Sequence, residues 1–423
     1  MKLTRTLRGL ALDPSLRRTA RQVHWTLVDQ VLSSGTNFGA AFMAVRAGGP
    51  VEFGAFSFTM VLYVLAVGVC RAVTTQTLVI GVRGDRVQMN ALARPTLVAA
   101  GALASLFALA CFAGATLASG SLSQLLLVLG VALPVLLVQD AGRSLLLALD
   151  RPRGAALTDG IWAAVFTLLL AGVTLLSDES VVSITLCWAL GGALAGVVVI
   201  AQLWPPVRCP RVTYWRMHLR LRGNLLSSHL LMATPSYVLF ALAPSLIGLD
   251  GLGMLRAAYL PLSVFGVVLQ GASAILLPRL ARRDGEELWR LVRGAGLVLT
   301  GGAAAWSVLI VLLPDSVGRL VLADLWGGTE TLRLIFGVAL TFQAAATCVL
   351  AALSTTRSAV LVRLRFGIGA LSLVGGFALS MLAGVVGLAL TITAADVLAA
   401  AGGLYLLRRE LDRVPTSEPL AGV

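Results

Sequence analysis

Twelve apolar stretches run along the chain, at about 23–46, 53–76, 95–118, 122–142, 155–176, 180–203, 225–247, 254–278, 291–313, 330–353, 361–383 and 386–407. Each is long enough, at about 20 residues and 1.5 Å rise per residue, to cross the hydrocarbon core of a bilayer as a helix. Polar segments rich in Arg, Gly and Pro separate them. The first stretch is the most polar. Asp29, Ser33 and Asn37 recur at i, i+4 and i+8 and form one stripe on it, beside Gln30, Ser34 and Thr36.

Composition agrees with this pattern. Of 423 residues, 58% are hydrophobic and 13% charged, and the mean hydropathy is +0.90. Soluble domains carry about 25% charged residues, so the chain is expected to be neither a soluble enzyme nor a nucleic-acid-binding module. The predicted fold class is an all-α integral membrane protein of about 12 transmembrane helices. A net charge of +13 acquires meaning from its distribution, because cations are retained on the cytoplasmic side. With the N-terminus inside, all but five of the 33 cations fall in inner segments. Arg46, Arg319 and Arg333 lie at outer loops or helix ends, and Arg71 and Arg256 lie within spans two and eight. Both termini are therefore expected in the cytoplasm.

The domain reading follows. Residues 1–22 form a basic segment at the inner surface, 23–203 an N-terminal lobe, 204–224 a basic inner loop, 225–407 a C-terminal lobe and 408–423 a cytoplasmic tail. A faint echo of residues 31–58 in 230–257 supports duplication of a six-helix unit, an arrangement that places transport sites between halves.

An ionisable group inside a span costs about 2.5–3.5 kcal/mol on insertion scales, so such groups mark wet or paired positions. Arg71 and Arg256 occupy counterpart spans and are candidate contacts for an anionic substrate, since a guanidinium binds oxyanions bidentately; for each, interfacial snorkelling is the alternative. Asp29, Asn37, Ser33 and Gln76 are candidate cavity-lining residues, with helix–helix hydrogen bonding as the alternative for the Ser and Asn. Asp29 and Asp396 are candidate coupling acids. Asp140 and Arg143, at i, i+3, are expected to pair locally, and Asp159 to favour its helix N-terminus. Four cysteines, Cys70, Cys111, Cys187 and Cys348, lie in apolar stretches and Cys209 in a polar loop. No disulfide framework, metal-ligand spacing, Walker loop or hydrolase elbow is present, so no catalytic residue, metal or cofactor is expected.

Two segments carry a resemblance. DQVLSSGTNFGAAFMAVRAGGPVEFGAFSF (29–58), with its turn from Val45 to Gly54, and QDAGRSLLLALDRPRGAALTDGIW (139–162) resemble the first helix pair and the span four to span five connection of bacterial polysaccharide-biosynthesis flippases of the MOP (MATE-like) exporter superfamily. The resemblance implies two six-helix lobes around a central cavity, and transport of a polyprenyl-linked or polymeric saccharide across the bacterial cytoplasmic membrane by alternating access. It also implies polysaccharide-assembly enzymes as partners. Arg71 and Arg256 fit such a cargo by chemistry and lie outside any matched motif; Arg46 and Glu52 match by motif in a turn that also has a structural reading. A cation-coupled multidrug exporter of the same superfamily, using Asp29, is the first alternative. A major-facilitator-type transporter is the second, its loop motif represented by Gly81, Asp85 and Arg86 alone. A non-transporting membrane scaffold is a third class, against which the polar residues inside the spans argue.

Overall fold

The computed structural model describes residues 14–82, 85–176, 179–203, 218–280, 283, 285–356 and 358–412. The first part of the basic N-terminal segment (1–13), most of the 204–224 loop including Cys209, and the tail beyond 412 lie outside the described residues. Among the described residues the secondary structure is helical, without strands. In chain order the helices are α1 (Pro14–Ala47), α2 (Pro50–Val73), α3 (Thr75–Gly81), α4 (Arg86–Ala91), α5 (Ala93–Leu117), α6 (Gly120–Ala148), α7 (Pro152–Leu176), α8 (Val181–Leu203), α9 (Leu219–Leu280), α10 (Gly285–Val311), α11 (Asp315–Leu322), α12 (Glu330–Thr356) and α13 (Ser358–Leu411).

Local chemistry fixes several ends. Pro50 and Pro152 open α2 and α7, where the missing N–H removes a donor that would have had no helical partner. Asp85 caps α4 by accepting from the backbone of Val87 (3.0 Å) and Gln88 (3.1 Å). In the matched turn, Arg46 sits in the last turn of α1, 5.6 Å from the Phe42 ring, and Glu52 in the first turn of α2; each charge complements its own helix dipole. α9 and α13 are each broken once, at Gly248 (φ 75°) and at Ala383–Gly384 (φ 55° for the glycine). The glycine φ at each break is one that residues with a Cβ rarely adopt. The breaks coincide with the turns predicted between spans seven and eight and between spans eleven and twelve.

Among the described residues, nine helices are long and apolar enough to cross a membrane. The two broken helices count once each, and α1 is absent because its polar stripe lowers its hydropathy. Large apolar side chains such as Leu106, Leu168, Leu297 and Val374 point outward and exposed, as they do when the surrounding solvent is lipid.

The chain divides into two compact units, residues 1–47 with 62–229, and 48–61 with 230–423. The first has a core of Leu, Ala and Val from the second part of α2 through α8, centred on Leu97, Leu129, Leu137 and Leu145. Its α8 carries Gly192 against Trp162 and Leu136, a close approach that small residues permit where lipid offers no hydrophobic drive.

The second unit has one cluster around Leu252, Leu255, Phe336 and Leu388 and another around Leu280, Leu288, Ala352 and Leu407. The start of α2 is locked into it. Gly54 lies against the Leu249 carbonyl and Gly253 against the Pro50 carbonyl. Arg333, placed by sequence at an outer loop or helix end, lies in the first turn of α12 and is 4% exposed. Its guanidinium lies 3.3 Å from the Trp326 ring centroid and donates to the Trp326 carbonyl (2.7 Å) and the Thr329 hydroxyl (3.0 Å). Ring face, carbonyl and hydroxyl thus take the place of water around the guanidinium.

Candidate functional sites

In the first unit, α1, α6 and α7 bring a set of charges together. Asp29 is 1% exposed and accepts two hydrogen bonds from Arg143, from Nε at 3.1 Å and from the terminal nitrogen at 2.6 Å. The same Nε lies 2.9 Å from Asp159 Oδ2. Gln139, one turn before Arg143, donates to Asp159 Oδ1 at 3.0 Å. Ser33 reaches Asp159 as well. Asn37, a further turn along α1, donates to the Ser33 carbonyl (3.0 Å) and accepts from Trp188 Nε1 (3.1 Å). Trp188 is held in turn by Trp162, which donates to its carbonyl (2.8 Å), and by the edge-on ring of Tyr63 at 5.0 Å.

The predicted stripe of Asp29, Ser33 and Asn37 therefore exists, and helix–helix bonding is what it does here. Two expectations need correction. Asp140 and Arg143 do not pair with each other. Asp140 turns to α2 and binds Arg71 twice, at 2.7 and 2.5 Å, because a buried charge is satisfied best by a bidentate partner and neighbouring helices offer one to each. Asp159 is not a helix-terminus charge either. It lies two turns into α7, beyond the reach of the terminal dipole, and it faces Arg143. Arg71, the candidate anion contact, is held by the Asp140 carboxylate, which is only 9% exposed, while its own side chain is 38% exposed. Gln76 sits exposed on α3, outside this network.

In the second unit, α9, α12 and α13 enclose a cavity of about 290 Å³. Its polar lining is Arg256, Tyr259, Gln343, Ser372 and Asp396, set among Leu239, Phe240, Phe336 and Leu340. The Arg256 guanidinium lies 5.9 Å from the centroid of the Phe240 ring and 6.0 Å from that of Tyr259. The Tyr259 ring meets Phe336 edge-on at 5.6 Å. Gln343 engages the Tyr259 hydroxyl, which lies close enough to both Arg256 and Asp396 to interact with each electrostatically. Neither Arg256 nor Asp396 forms an ion pair among the described residues.

Two predicted site residues 140 positions apart thus line one cavity, while Asp29, Arg71, Ser33 and Asn37 belong to the paired network of the other unit. Sequence reading missed Tyr259 and Gln343. Tyr259 follows Arg256 at i+3, on one helix face, and Gln343 is the lone amide of an apolar span; both signals were available. It also missed Trp188, whose indole N–H needed a buried acceptor.

Solved structures with this fold are transporters of the MOP superfamily. An inward-facing multidrug resistance MATE family transporter matches with a TM-score of 0.69 and 16% identity, over 90% of this chain and 94% of that one. An outward-facing MATE family transporter matches at 0.65 and 15%, over 95% and 97%. A Pyrococcus furiosus MOP transporter, described as having a binding pocket of reversed polarity, matches at 0.64 and 14%, over 93% and 95%. No family model and no curated protein sequence matches the chain. At these identities the likeness establishes the fold, which is that of the MATE transporters, a multi-pass helical membrane architecture.

Proposed function

We propose that this protein is a non-enzymatic exporter of the bacterial cytoplasmic membrane that translocates a lipid-linked oligosaccharide or cell-surface polysaccharide precursor by alternating access, with both termini in the cytoplasm. The fold supports transport. The observation that carries the cargo class is Arg256, a guanidinium without an ion-pair partner among the described residues, in an aromatic-lined cavity. Such a group repels cationic drugs and receives phosphate or an acidic sugar, with the rings taking up apolar surface.

A cation-coupled multidrug exporter is the second reading. Asp396, in the same cavity, favours it.

Lipid analysis of a deletion strain separates the two. Accumulation of a polyprenyl-linked saccharide, reversed by the intact gene and not by the Arg256→Gln variant, is the expected result. A strain without accumulated glycolipid but newly sensitive to cationic drugs shifts the function to the second reading and makes Asp396→Asn the variant to assay.

A further inference from the structure

The second-unit cavity presents two opposite charges that do not meet. Arg256 on α9 and Asp396 on α13 line one space of about 290 Å³, yet they form no ion pair with each other. In surroundings of low dielectric, two such groups collapse into a pair whenever their helices allow it, because each alone pays its full desolvation cost. Here the Phe240 and Tyr259 rings flank the guanidinium, and Gln343 engages the Tyr259 hydroxyl. The two poles are held apart. The first unit shows the contrast, since Arg71 and Arg143 there each bind carboxylates directly.

We propose that this cavity is a two-pole receptor for a zwitterionic group, one that carries a phosphate at one end and an ammonium at the other, as an amino-sugar phosphate or a phosphoethanolamine substituent does. Arg256 donates to the phosphate through its fork and Asp396 accepts from the ammonium, in a cavity whose lining also offers the Ser372 hydroxyl and the Gln343 amide. A volume of this size holds a small polar group of that kind. A simple anion leaves Asp396 uncompensated and repelled, and a simple cation leaves Arg256 so; only a ligand with both charges satisfies both walls. For its role in the cell the inference rests on the exporter reading, and it narrows the cargo of that exporter to an amine-bearing phosphorylated head group.

The test uses the full chain in phosphatidylglycerol nanodiscs, with calorimetric titration of phosphoethanolamine, inorganic phosphate and ethanolamine. Phosphoethanolamine is expected to bind at least tenfold more tightly than either half. Asp396→Asn should erase its advantage over phosphate, and Arg256→Gln its advantage over ethanolamine. The charge-exchanged variant, Arg256→Asp with Asp396→Arg, should still prefer phosphoethanolamine, an outcome that a purely structural role for the two residues does not produce. Cooperative melting of each variant establishes that it is folded. If phosphate binds as tightly as phosphoethanolamine, or if none of the three binds to the folded unmodified protein, the two-pole site is wrong.

Adding phosphatidylethanolamine to the nanodisc identifies the source: competition means that a lipid head group reaches the site, and its absence means a soluble or glycan-borne one, the site standing in both cases. Failure of this inference is separable from failure of the exporter reading. Glycolipid accumulation without phosphoethanolamine binding removes only the two-pole site. Binding without accumulation removes only the flippase cargo.

Discussion

Arg143 holds Asp29 through two hydrogen bonds, at 3.1 and 2.6 Å, across 114 positions of sequence. Because the same guanidinium lies 2.9 Å from Asp159, one cation ties the polar first helix to both α6 and α7. α1 is the helix least able to hold its place by apolarity. This junction, and the Asn37–Trp188 hydrogen bond two turns further along the same face, help hold it in the first unit.

Removal of Asp29 alone should therefore be harmful. Asp29→Ala takes two charge-assisted hydrogen bonds from Arg143 and leaves it paired with Asp159 alone, a loss of about 1.5–3 kcal/mol. Asp29→Leu combined with Arg143→Met should cost less than the sum of the two single substitutions. Thermal unfolding in one detergent, run as a double-mutant cycle, measures the coupling; additive losses would show that the pair contributes nothing of its own.

Arg71 should behave as a structural residue. Arg71→Gln strands Asp140, and the expected loss is about 1–2 kcal/mol, reduced from the fully buried value by the partial exposure of Arg71. Arg71→Gln with Asp140→Asn should recover most of it. A melting temperature unchanged by Arg71→Gln would contradict the structural role and favour Arg71 as a contact for an anionic substrate.

Arg256 and Asp396 should show the opposite sign. Neither has an ion-pair partner among the described residues, so Arg256→Gln and Asp396→Asn each remove a desolvation cost and should leave the melting temperature unchanged or higher, while transport falls at least tenfold. Functional sites commonly trade stability in this direction. Parallel melting and glycolipid-export assays on the two variants check it, and a variant that both melts early and exports normally would contradict the assignment.

Gly54 and Gly253 tolerate no side chain. A Cβ at either runs into the backbone carbonyl it faces, Leu249 or Pro50, and overpacking of this kind costs about 1–3 kcal/mol. Gly54→Ala should lower the unfolding temperature, whereas Gly266→Ala, which meets nothing nearby, should leave it unchanged or raise it through better helix propensity. Side-by-side thermal melts of the two variants read the difference.

Replacing Trp188 by Phe keeps the ring packing against Tyr63 and Trp162 but takes the donor from Asn37. The expected cost is about 1 kcal/mol, the net worth of one buried hydrogen bond. Trp188→Phe paired with Asn37→Leu should regain part of it, as read from chemical or thermal unfolding.

The helices were legible from sequence because lipid imposes a one-dimensional rule: every span needs about 20 apolar residues, and every break needs a residue that can leave the helix. Gly248 and Gly384 mark such breaks in the pattern and in the backbone alike. The ionisable residues within the spans were legible too, since each is costly against an apolar background. Their partners were not. Asp140 looked like the companion of Arg143 three residues away, and tertiary packing gave it to Arg71 and gave Arg143 to Asp29 and Asp159. Sequence spacing reports which residues share a helix face, whereas the strength of a buried ion pair depends on bidentate geometry between helices far apart in the chain. By itself the sequence determined that these charges lie within its apolar stretches; only the tertiary structure decided that those of the first unit bind one another while Arg256 and Asp396 form no ion pair around a shared cavity, because that outcome depends on distances set by packing.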